Sequence, residues 1–133
     1  MVPCPSFNGA ACVAAIESEK CTSIYGTPTM FVDMLDSARR TKPDVSHVQT
    51  GIMAGAPCPE ELCRNVISEL NMKDFVVCYG MTETSPVTFQ GFTTDPMHLK
   101  TGTVGYPSNH QVSSAASPPP ELRSILGNGH HGH

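Results

Sequence analysis

The sequence contains no tryptophan, no apolar run near the roughly 20 residues that span a bilayer, and no basic cluster beyond Arg39, Arg40 and Lys42. A membrane-spanning helix is thereby excluded as an expectation. With 8 Lys and Arg against 12 Asp and Glu, the formal charge is -4, which argues against a nucleic-acid partner. The six cysteines include no C-x-x-C pair and no histidine at zinc-ligand spacing, so neither a zinc site nor a disulfide framework is expected. Reduced, buried thiols are expected instead. Met1 to Asn8 has neither the basic start nor the apolar stretch of a targeting signal. What is present suits one packed core: 133 residues, 39% of them hydrophobic, are one domain's worth.

The apolar pattern divides the chain. From Ala10 to Lys20, Cys12, Ala15 and Ile16 share one helical stripe, and residues 21 to 25 then read as a short strand halted by Gly26. Thr27 and Pro28 follow as N-cap and first helical residue. They introduce a helix whose buried side carries Met30, Phe31, Met34, Leu35 and Ala38 and whose last turn holds Arg39 and Arg40. Val48 to Met53 is predicted to be a strand, ending in the small-residue turn Ala54-Gly55-Ala56-Pro57. A helix from Pro59 with Leu62, Val66, Ile67 and Leu70 inside, and Asn71 as its left-handed cap, leads to the apolar run Phe75-Val76-Val77-Cys78. Such a run belongs to a parallel strand covered on both faces. The alternation predicts an α/β fold, a partial parallel sheet with flanking helices. After Pro107 the residues turn to Ser, Pro, Gly and His, and 108–133 is expected to be a low-complexity, disordered tail, leaving 1–107 as the folded unit.

Directly after the buried run comes Tyr79-Gly80-Met81-Thr82-Glu83-Thr84, at the carboxyl end of a strand, where open sheets bind ligands. A tyrosine offers a flat face to a base and a glycine permits close approach of the backbone. A threonine hydroxyl can donate to phosphate, and a glutamate can share Mg2+ with phosphate oxygens. Each has a plainer reading too: Tyr79 as an aromatic at the sheet edge, Thr82 as a turn residue, Glu83 as a solvated carboxylate. His47, His98 and His110 have no acid or thiol at catalytic spacing, and His130, His131 and His133 form no preorganised metal site.

Tyr79-Gly80-Met81-Thr82-Glu83 resembles the Tyr-Gly-x-Thr-Glu motif of the adenylate-forming (AMP-binding) superfamily, and Met53 to Pro57 resembles that superfamily's upstream Gly-Ala-Pro turn. Tyr25 to Phe31, Asn71 to Asp74 and Thr84 to Phe89 are similar to its medium-chain acyl-CoA synthetase branch, the likeness running from about Pro5 to about Tyr106. The resemblance implies that Gly55, Ala56 and Pro57 line the adenine and acyl side. Tyr79 would pack on adenine, with Gly80 and Met81 beside the nucleotide. Thr82 would contact the α-phosphate and Glu83 would ligate Mg2+, making Thr82 and Glu83 the catalytic candidates. It further implies ATP, Mg2+ and CoA in the complete enzyme, a fatty acid activated as acyl-AMP and released as acyl-CoA, and a mitochondrial address, with the cytoplasm left open. The superfamily's phosphate loop, ribose-binding Asp and C-terminal-domain Lys are not found. The chain is therefore expected to be a piece of such a ligase, inactive alone. The alternative is a non-catalytic interaction fragment that binds itself or a full-length synthetase.

Overall fold

The protein is described here by a computed structural model covering residues 1–3, 6–84 and 86–108. The first helix, α1 (Gly9–Ser18), is started by Asn8, whose side chain accepts from Ala11 N at 3.0 Å. It buries Cys12, Val13 and Ile16. Strand β1 (Ser23–Gly26) follows, then α2 (Pro28–Thr41). Pro28 opens α2 as expected, but Thr27 does not cap it through its side chain; that hydroxyl meets the Thr29 hydroxyl at 3.0 Å instead. Phe31, Met34, Leu35 and Ala38 are buried along α2, and Arg39 reaches across to Glu69 on the next helix with Nε and Nη2 at 2.7 and 2.8 Å.

Strand β2 (Thr50–Ala54) begins two residues later than the sequence pattern suggests, because Val48 closes a turn onto Val45 O. Helix α3 (Glu60–Glu69) buries Leu62, Cys63 and Val66. Beyond its end Asn71 takes a left-handed φ of 56°, and its side-chain amide donates to Ser46 O and Val48 O at 3.1 and 2.8 Å. The chain is thus turned into β3 (Asp74–Gly80), where Phe75, Val76, Val77 and Cys78 are all buried.

β1, β2 and β3 pair in parallel, in sequence order. Past that point the sheet is mixed rather than parallel. Strand β4 (Val87–Gln90) runs antiparallel to β3, and β5 (Tyr106–Pro107) antiparallel to β4, with the short α4 (Met97–Gly102) between them. The six residues joining β3 to β4 are too few for a crossover, which needs about a dozen, so the chain returns antiparallel. Ser108 N closes the last strand by donating to Thr88 O.

The core joins alternate strand residues Ile24, Met53, Phe75 and Val77 to the buried stripes of α1, α2 and α3, and Met97 of α4 packs against it. The helices therefore share one face of the sheet, as same-handed crossovers between adjacent strands require. Val76 and Cys78 point to the other face. The run Phe75 to Cys78 is thus covered on both faces, as expected, while among the described residues α1, α2 and α3 flank one face. Of the expected tail, 109–133 lies outside the described residues.

Candidate functional site

Parallel pairing of Met53 with Val77 and Ala54 with Cys78 brings the carboxyl ends of β2 and β3 out side by side. β2 continues into Gly55, whose φ of +92° suits glycine. Gly55, Ala56, Pro57 and Cys58 form one wall of a cavity of about 480 Å³. Its second side is β3 from Val77 to Gly80, and its third is the end of α4 with the following turn, residues 101–104. Three segments, 55–58, 77–80 and 101–104, thus meet around one cavity.

Tyr79 remains 44% exposed, its ring 6.2 Å from that of Phe89 on β4 at an angle of 56°. The cavity therefore presents a half-open aromatic edge. Gly80 is enforced by packing: a Cβ there would stand 1.8 Å from Pro86 O. The cavity is otherwise neutral: among the described residues the only ionisable side chains in its wall are those of Cys58, Cys78 and Tyr79. Desolvation pushes both cysteine pKa values above the ordinary thiol value, with a smaller effect of Cys78 on Cys58. These are thiols at neutral pH, not nucleophilic thiolates. On the wall opposite the turn, the hydroxyls of Thr101 and Thr103 donate to Met97 O and Leu99 O at 3.0 and 2.8 Å and so finish α4.

Of the residues singled out in the sequence, Gly55, Ala56, Pro57, Tyr79 and Gly80 meet in this cavity. Met81, Thr82 and Glu83 do not line it. Thr82 and Glu83 lie in an exposed 3-10 turn just beyond β3, and Met81 is 45% exposed. Sequence reasoning missed Cys58, Cys78 and the 101–104 wall. The one signal for that wall was Thr101-Gly102-Thr103-Val104-Gly105, two glycines among hydroxyl residues. Among the described residues no three His, Cys, Asp or Glu side chains form a metal centre, and no helix is long and apolar enough to cross a membrane.

An open sheet with small-residue and Tyr-Gly turns converging beyond its parallel strands has its cavity where α/β domains bind ligands. The chain belongs to the AMP-binding enzyme family, whose model matches residues 1–114. Its lineage is that of acyl-CoA ligases. It is 46% identical over 116 residues to a zebrafish (Danio rerio) protein named medium-chain acyl-CoA ligase ACSF2, mitochondrial, covering 87% of this chain and 19% of that protein. The mouse (Mus musculus) protein of the same name is 50% identical over 101 residues, covering 76% of this chain and 16% of it. Among solved structures, an anthranilate CoA ligase, AuaEII, crystallised with anthranoyl-AMP, shares the fold with a TM-score of 0.68 at 20% identity, over 80% of this chain and 20% of that one. The chain spans about a fifth of the length of the curated relatives it matches.

Proposed function

We propose that this chain is a segment of an ATP-dependent medium-chain fatty acid ligase that forms acyl-AMP and then acyl-CoA. The observation that carries the reading is the meeting of the Gly55 to Pro57 turn with Tyr79 and Gly80 in one neutral cavity at the carboxyl edge of the sheet. Such a cavity suits an uncharged flat or apolar group, an adenine or the start of an acyl chain, with Tyr79 offering the ring face. Charged groups of ATP then belong at the rim, where Thr82 can donate to the α-phosphate. Glu83 fits as a Mg2+ ligand, because this ion is commonly held by one or two carboxylates with phosphate oxygens and water, and a single exposed acid meets that demand. When bound, Mg2+ neutralises phosphate charge; the chain's own residues position the nucleotide. CoA is the second-step acceptor in the complete enzyme.

The same reading assigns residues 1–107 to the adenylation unit and 108–133 to a tail outside it, and places the whole protein in the mitochondrion, as its relatives are named. Adenylation depends on joint placement of groups drawn from a much longer chain, so the 133 residues alone should support no fatty-acid-dependent ATP–pyrophosphate exchange. Exchange clearly above a protein-free blank overturns this.

The exposed edge strand β1, with Tyr25 63% exposed, favours a second reading as an interaction fragment that binds itself or a full-length synthetase. Sedimentation velocity across a hundredfold range of concentration decides it; a constant monomer, alone and mixed with the full-length ligase, excludes it.

A further inference from the structure

Helix α4 has six residues, too few to persist by helix propagation alone. Its anchor is Lys100, which is only 6% exposed. Nζ donates to Phe75 O at 3.1 Å and to Thr93 O at 2.8 Å, and lies 5.0 Å from the centroid of the Phe75 ring. Among the described residues no carboxylate comes within ion-pair distance of it.

The path of β4 explains why an ammonium sits here. β4 pairs with β3 only from Cys78 onward, and Gly91 N supplies the last bond, to Val77 O. Two residues back on the same edge of β3, Phe75 O has no strand to meet among the described residues, and Lys100 provides the donor that β4 does not. The residues directly after Lys100, 101–104, are the third wall of the cavity.

We propose that Lys100 is a positioning residue for this cavity: by tying α4 to the free edge of β3, it holds the 101–104 wall at the spacing from the 55–58 turn that admits a nucleotide or acyl group. The role as a site wall rests on the function proposed above, but the tether can be tested without it. Cys58 and Cys78 line the cavity, while Cys12 lies on α1, so the cysteines report locally and globally in one chain. Lys100 is not among the groups that shift Cys58 or Cys78, so removing its charge leaves their reactivity to be governed by access.

The experiment is site-resolved iodoacetamide labelling of the 133-residue chain, wild type against Lys100→Met, read by mass spectrometry. Local opening should speed labelling of Cys58 and Cys78 by at least about fivefold while Cys12 stays within about twofold. Unchanged cavity thiols, or an equal rise at Cys12, overturns the proposal. Should Lys100→Met not fold, Lys100→Gln, which keeps a donor for one carbonyl, is judged by the same two criteria; a Gln variant that also fails to fold overturns it, because the residue is then a requirement of the whole fold. Millimolar AMP added to the wild type provides the separate arm. Protection of Cys58 and Cys78 by AMP supports the nucleotide reading. If AMP gives no protection while Lys100→Met opens the cavity, the nucleotide reading falls and the tether stands.

Discussion

Glu83 and Cys63 show how differently two ionisable side chains are used. Glu83 stands exposed on its 3-10 turn, where its carboxylate is open to a ligand. In the full-length ligase, Glu83→Gln keeps size and polarity and removes the charge. Single-turnover acyl-AMP formation at saturating Mg2+ should slow by at least about tenfold, a loss of about 1.4 kcal/mol, with the thermal melt unchanged. An unchanged rate reduces Glu83 to a solvated acid. Cys63 is wholly buried on α3, and desolvation raises its pKa from the ordinary 9.0 to about 11, with Cys58 adding to the shift and Lys100 opposing it. Because the folded value lies above the unfolded one, the stabilisation from keeping this thiol neutral is complete below about pH 9 and is lost as pH rises through about 11. Melting temperature should therefore fall between pH 8.5 and 11, and fall less in Cys63→Ala measured against its own value at pH 8.5; parallel pH profiles would remove Cys63 as the cause.

At the scale of the element, the sequence was most readable where local chemistry and packing agree. The stripe of α2 repeats over about two turns, and Phe31, Met34, Leu35 and Ala38 are buried as that spacing predicts, with Met30 half-buried at its start. Asn71 could be read as a left-handed cap, and its backbone confirms it, but its two bonds to the 46–48 segment depend on contacts no local pattern encodes. Asn71→Ala loses both bonds and puts alanine at a left-handed φ that asparagine tolerates better. Urea unfolding should show a loss of about 2 kcal/mol, and one under about 0.5 kcal/mol would mean the cap carries little. What escaped the sequence was short or decided at a distance. β4 has only four residues, so the alternation of Val87 and Phe89 with Thr88 and Gln90 is a minimal signal. α4 is too short to show a stripe, and Lys100 reads as an ordinary surface lysine until the fold buries it. The candidate cavity was legible on the sides carried by motifs, 55–57 and 79–80, and illegible on the side α4 contributes, since that wall exists only through tertiary contact.

For the whole molecule, strand order and chain order coincide: β1, β2, β3, β4 and β5 lie side by side as they occur in the sequence. Among the described residues no strand enters between two that are already paired. As this segment is synthesised, each new strand can therefore join an edge already waiting for it, and no apolar strand within it has to stay unpaired until a later one arrives. The edge that β4 completes is the one that β5 then takes.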